Sequence, residues 1–461
     1  MEPQEIVERA LAARTAGDCI AIVSVDNRID LRWARSTLTT NGASSSTTLT
    51  VIAFHGTATG VATATVARSA ADPMTIEQTV KAAEAAAREA GDAEDAAPLA
   101  PARTCATWHD PAAELAPDAL APVAAALGAV LQSGGDVEHF GYAEQTSSST
   151  WLGSSTGVRL RYDQPAGRIE MTAKSHGRTR STWVGASARD LAQDVTTGGL
   201  DIAGLDRQLR QGLQWQARRV EVPAGRHAAV LTPGAVGDLM VDLWWSASAR
   251  DAAEGRSVFS RPGGTRIGEL LSHMSLDLFS DPAYPGLECA DFQTVGMSSG
   301  SASVFDNGLA MGRSDWLSNG HLAGLAASRA TAAEFSMPCV ARPDNLILQT
   351  PGTGTLDDVI ARTDRGLLVT CLWYIRVVDP QSLLVTGLTR DGVYLVDGGE
   401  VVGSVGNFRF NESPVGMLER IADSGSSDRT LPREMADYVQ RICMPALTVD
   451  EFNFSTPSDA L

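Results

Sequence analysis

The sequence predicts an α+β protein. A mixed first region of helices and hairpins, residues 1–222, is followed by a β-rich, antiparallel second region, residues 223–461. Three observations predict this. Short runs of β-branched and alternating residues recur through the first half, and helical patterns with start and stop signals lie between them. From about 225 onwards, strand-like runs bounded by turn residues dominate. A length of 461 residues exceeds what one core usually serves, so two domains are expected.

Residues 2–17 carry a helical pattern, with Ile6, Ala10 and Leu11 on one side and Gly17 at its end. Strand-like runs follow at 19–25, 29–40, 47–56 and 60–67, and Asn27 and the cluster NGASSS read as turns between them. A helix is expected from Thr75-Ile-Glu-Gln78, a capping-box pattern, to Gly91. Residues 91–118, rich in Ala, Pro and Asp, read as a surface connection. Another helix is expected over 119–132, then hairpins, then a helix over 198–218 and a crossing strand over 220–231. In the second region, SVFDNGLAMG reads as a hairpin about Asp-Asn-Gly. DGVYLVDGGEVVGSV reads as one turning at Gly398-Gly399.

Composition excludes several function classes. The net charge is −18, and Lys81 and Lys174 are the only lysines, so a phosphate backbone would be repelled and nucleic acid is not an expected partner. The longest strongly apolar run, Leu120–Leu131, falls short of the roughly 20 residues that cross a bilayer. The acidic, helical start carries no signal-peptide pattern, so a cytoplasmic chain with no membrane partner is expected. Six cysteines without a CxxC pair are expected to be reduced thiols.

The chemical motifs are sparse. GxSxG occurs once, Gly296-Met-Ser298-Ser-Gly300, but small strand-like residues follow it where a nucleophile elbow needs a helix, so it reads as a loop. No phosphate-cradling glycine motif is present. The seven histidines form no pair at metal-ligand spacing.

One segment carries more. In Leu231–Trp244, LTPGAVGDLMVDLW, Thr232 suits a helix N-cap and Pro233 the first helical position. Val236, Leu239, Met240, Leu243 and Trp244 then fall on one face, expected to be the buried one. The segment resembles the start of the second domain in the TldD/TldE (PmbA) family, peptidase-like proteins once called modulators of DNA gyrase. AEGRSVFS (253–260), RPDNLILQTPGTGTLDDVIARTDRGLLVTCLW (342–373), NFRFNESPVGMLERI (407–421) and MPALTVDEFNFS resemble further family segments, in the family's order. After Trp373 the family's glycine-rich segment is replaced by the bulkier YIRVVDPQSLLVTG.

In the TldD branch the head of this helix carries H-E-x-x-x-H, whose histidines bind zinc and whose glutamate is the general base. Here those positions are Pro233, Gly234 and Asp238. Proline and glycine offer no side-chain donor, and one aspartate cannot hold a catalytic zinc that takes three protein ligands. Cys443 lies in the region of the TldD-type cysteine ligand but reads as a core residue beside the last strand.

The resemblance therefore implies a TldE/PmbA-like subunit with no catalytic residue, metal or cofactor of its own. It would form a heterodimer with a TldD-like zinc-binding subunit around a cleft that takes unfolded peptides. Arg409, Asn411, Glu412 and Ser413, with Trp373 and Arg376, are the candidates for contact with peptide or partner; the same polar groups would equally serve to cap turns and strands. A non-proteolytic peptide-binding or scaffold protein is the alternative. A homodimer is also open to the lone chain, since a β-rich surface can pair with its own copy.

Overall fold

The computed structural model describes residues 1–69, 72–133, 135–390 and 392–458. The first half is built on one antiparallel sheet of two meanders: β1 (Asp18–Ala34), β2 (Thr37–Gly56) and β3 (Val61–Ser69), then β4 (Glu138–Ser154), β5 (Arg159–Ser175) and β6 (Arg180–Ala188). Its order is β3-β2-β1-β4-β5-β6, so β1 and β4 join the meanders at the centre.

These strands are longer than the punctuation of the sequence suggests. Asn27 lies inside β1 opposite Ser45, and NGASSS lies inside β2 rather than forming a turn. The hairpin turns instead at Arg35 and Ser36, both with positive φ. Serine and threonine fit the exposed stretch of β2 because an outer face demands hydrogen bonding of the backbone and little of the side chain.

Helices cover one face of this sheet. Along β1 the odd-numbered positions, Cys19 to Val25 and then Ile29 to Trp33, are buried beneath them, as a period of two requires. One end lies under α1 (Pro3–Ala13) and α2 (Pro73–Glu89). The other lies under α3 (Ala121–Leu131), α4 (Leu191–Thr197) and α5 (Ile202–Trp215). The expected cap at Thr75 is displaced: α2 begins at Pro73, and Asp72 is its N-cap, accepting from the Thr75 amide. The helix expected over 198–218 is α5, which starts at Ile202; Gly198, whose φ is +79°, ends the short α4 before it. The connection over 91–118 has no helix or strand, yet it buries Ala100 and Trp108, whose carbonyl accepts from the Trp151 indole at 3.1 Å.

The second half holds a nine-stranded and a six-stranded sheet around one large core. The nine-stranded sheet runs Trp373–Asp379, Leu384–Leu388, Asn407–Glu412, Leu447–Ser458, β7 (Gly225–Leu231), Arg365–Val369, Val393–Asp397 and Glu400–Ser404, with Ile421–Ser424 on the side of Leu447–Ser458. Pairing is antiparallel apart from β7 with Arg365–Val369 and, in the six-stranded sheet, Leu346–Gln349 with Ile442–Met444. The Gly398-Gly399 turn forms as expected, both residues at positive φ. The Asp-Asn-Gly segment does not make a hairpin: Val304–Asp306 is a 3₁₀ turn, with Ser303 capping it and Asp306 bound by Arg329 at 2.6 Å.

The even-numbered face of β1 supplies the contact between the halves. Ile20, Ile22, Ile52 and Phe54 pack with Phe292, Val304 and Phe305. Among the described residues no helix is long and apolar enough to cross a membrane.

Candidate functional site

β7 leads directly into α6 (Pro233–Ser246), and the start is the one the sequence dictates. The Thr232 hydroxyl accepts from the Ala235 amide and donates to the Thr370 carbonyl at 2.7 Å, and Pro233 follows in the first turn. The expectation of a single buried face does not hold. Every residue from Ala235 to Trp244 is buried, including Asp238 at 0% and Asp242 at 7% exposure. The side that should meet water is covered by residues 431–439, which we call the strap.

Asp238 is consumed in holding the strap. Its Oδ1 accepts the amides of Glu434 and Met435 at 3.0 and 3.1 Å, and its Oδ2 accepts that of Arg433 at 3.2 Å. Burial drives its carboxyl well above the usual range, and the three amides act against that by favouring the charged form. The glycines admit the strap and its neighbouring strand. A Cβ on Gly234 would stand 2.9 Å from the Leu431 carbonyl oxygen, and one on Gly237 would stand 2.6 Å from Ile442 Cδ1. The positions that correspond to H-E-x-x-x-H thus hold a proline, a glycine pressed against backbone, and a carboxylate bound to three amides. They do not fit a zinc ion. Among the described residues no group of three or more His, Cys, Asp or Glu is placed to hold a metal. Cys443 is a buried strand residue whose thiol burial pushes up to about 11.

The strap also joins the halves. The Arg433 guanidinium lies between the rings of Trp183, from β6, and Trp373, at 5.1 and 5.0 Å. Glu434 accepts from the Tyr374 amide and from Arg376 Nη1, each at 3.0 Å. Asp437 binds Arg168 of β5 at 2.7 Å, and Tyr438 meets Trp245 edge to face, ring centroids 5.7 Å apart. Between these contacts lies Asp242. Its carboxyl is pushed up to about 7 by burial, then by the Glu434 charge, with Arg376 opposing.

Trp373 and Arg376 therefore belong to this cluster. The other four candidates lie two strands away, on Asn407–Glu412 and just after it. Register aligns Arg409 with Leu388 and Trp373, and Asn411 with Thr386 and Arg376. Arg409 is exposed. Glu412 is buried against Arg420 at 2.7 Å, and Ser413 caps the helix Pro414–Leu418, so these two are spent on structure. Ser298 of GxSxG lies in a loop, its hydroxyl accepting from the Val304 amide. Sequence reasoning missed Asp242, Glu434 and Tyr438, which only the strap brings together.

A graft tests how completely the strap fills the helix head. The triple variant Pro233→His, Gly234→Glu, Asp238→His is expected to gain no stoichiometric zinc and to lose stability. Its glutamate would meet the Leu431 carbonyl, and three strap amides would lose their acceptor. One tightly held zinc per folded chain, by elemental analysis, would show that the head is open after all.

Residues 224–456 match the family model described as the PmbA/TldA metallopeptidase C-terminal domain. No curated protein matches the chain. Three solved structures share its fold over nearly the whole length. TldE from Thermococcus kodakarensis is 14% identical, with a TM-score of 0.74 over 98% of this chain and 99% of that one. A protein described as a modulator of DNA gyrase from Bacteroides thetaiotaomicron is 13% identical, TM-score 0.74, over 98% of both. One so described from Thermotoga maritima is 14% identical, TM-score 0.73, over 98% of this chain and 99% of that one. Together with the residues matched, these observations place the chain in the PmbA/TldD metallopeptidase family.

Proposed function

We propose that this chain is the metal-free, TldE-like subunit of a peptidase whose zinc sits in a TldD-like partner. In this reading it forms interface and cleft wall for unfolded peptides and performs no bond cleavage itself. One observation carries the proposal: the helix head that would bear ligands and base is covered by the strap, and its only carboxylate, Asp238, is committed to three amides. A general base must reach the water it deprotonates, and Asp238 is fully buried beneath the strap. The six free cysteines suit the reducing cytoplasm, where the reading places the chain.

The test is reconstitution. Purified alone, the chain should carry less than about one-tenth of an equivalent of zinc and leave an unfolded peptide intact. Mixed with a TldD-like protein bearing H-E-x-x-x-H, it should co-elute and cleave, and a chelator should abolish the cleavage. Cleavage by the lone chain that survives chelation would overturn the proposal, and co-elution with binding but no cleavage would favour the scaffold.

A further inference from the structure

Asp238, Asp242 and Trp245 stand at i, i+4 and i+7 on α6 and so share one face of the helix. The strap runs along that face. Asp238 holds its beginning by the amides of Arg433 to Met435, and Trp245 meets its end through Tyr438. Asp242 lies between these two attachments. It is only 7% exposed, and its Oδ2 has no hydrogen-bond partner among the described residues. Glu434 faces it from the strap, and Arg376 faces both from the neighbouring strand while bound to Glu434 Oε1. Above about pH 7 two carboxylates thus share one guanidinium, and one buried oxygen lacks a donor among the described residues. Such an oxygen is costly to maintain, which marks the niche as short of one positive, hydrogen-bonding group.

We propose that the niche binds an organic cation, the ammonium or guanidinium group of a peptide. The cation would donate to Asp242 Oδ2, be balanced by Glu434 and lie against the Trp245–Tyr438 pair, whose ring faces attract positive charge. A metal ion fits less well, since hard cations take six or more oxygens and, among the described residues, no third carboxylate joins Asp242 and Glu434 in a metal-holding group. A peptide fits better than a free amine because of what lies alongside. Of the ten exposed large hydrophobic side chains among the described residues, five are Trp245, Tyr374, Val377, Val378 and Tyr438, all on the strap, the end of α6 or the strand Trp373–Asp379. Concentration of exposed apolar groups beside one charged niche is the pattern of a binding surface. A net charge of −18 further favours a cationic ligand over a second copy of the chain.

The inference builds on the reading of the chain as a peptide-handling subunit, but its test needs no partner and no zinc. Three hexapeptides of Ala, Leu and Phe would be titrated into the isolated chain by calorimetry: one with a free amino terminus, one N-acetylated with a central lysine, and one N-acetylated with norleucine in its place. At least one cationic peptide should bind about tenfold tighter than the neutral one, and this advantage should vanish in Asp242→Asn. Trp245→Ala should weaken the same peptide. Preference for the first peptide identifies the α-ammonium as the ligand, and preference for the second identifies the side chain. Equal binding of all three, binding of none, or an unchanged preference in a folded Asp242→Asn variant would overturn the proposal. Reconstituted cleavage alongside such a failure would leave the subunit reading standing.

Discussion

Asp238→Ala should lower the stability of the chain by about 3 kcal/mol, because it leaves three strap amides without an acceptor. The effect is large because the carboxylate is fully buried, so water cannot readily replace it. The loss should be local before it is global. Hydrogen exchange at Arg433, Glu434 and Met435 should speed up, and a protease should nick residues 431–439 before the rest of the chain unfolds. Asp238→Asn keeps one accepting oxygen and should lose roughly half as much. Urea unfolding measures both variants. An Asp238→Ala protein within about 1 kcal/mol of the parent would mean that the amides find other partners.

Asp242→Asn should act in the opposite direction, by an amount that grows as pH rises from about 4 to about 7. The folded chain holds the Asp242 proton up to about pH 7, against an ordinary value of 3.8. The native state therefore binds that proton more tightly than the unfolded chain does. The stability it contributes is fully present below about pH 4 and is lost as pH rises through 7. Above that, the buried carboxylate costs at most about 4 kcal/mol by linkage, and about 2 kcal/mol once local relaxation is allowed. The variant should be more stable than the parent by that margin at pH 8 and equal to it near pH 4. A difference that does not change with pH, or a variant less stable at pH 8, would contradict this account of Asp242.

The contrast between the two aspartates shows what the sequence could and could not reveal. Thr232, Pro233 and the apolar positions of α6 were legible because caps and helical periodicity are local. The same periodicity assigns Asp238 and Asp242 to water, since it cannot see a strap nearly two hundred residues further along the chain. The Gly398-Gly399 turn was legible for the local reason that two positive-φ residues in succession suit glycine. The β1–β2 turn was not, because Arg35 and Ser36 adopt such angles without a glycine to announce them, while NGASSS only imitates a turn.

The family segments were legible for a structural reason as well. Within RPDNLILQTPG, Asn345 is wholly buried and binds the Asp281 amide and the Asp281 and Leu287 carbonyls, knitting two loops together. In NESP, Glu412 and Ser413 serve the fold in the same way. Of the candidate site, Arg376 stood out as part of the departure from the family pattern that begins after Trp373. Trp183, which completes the clamp on Arg433, comes from the other half and left no local signal.

The position of the strand Leu447–Ser458 bears on how such a chain can be made in a cell. It lies between β7 and Asn407–Glu412, pairing Leu231 with Leu447 and Phe410 with Phe454. A ribosome that has delivered everything up to β6 has released a complete sheet of successive hairpins joined at one seam, and that part can close early. The nine-stranded sheet has a gap at its middle until residue 458 has emerged, and β7 waits with an open edge throughout. Translation of residues 225–446 is therefore the interval in which this protein most needs a chaperone.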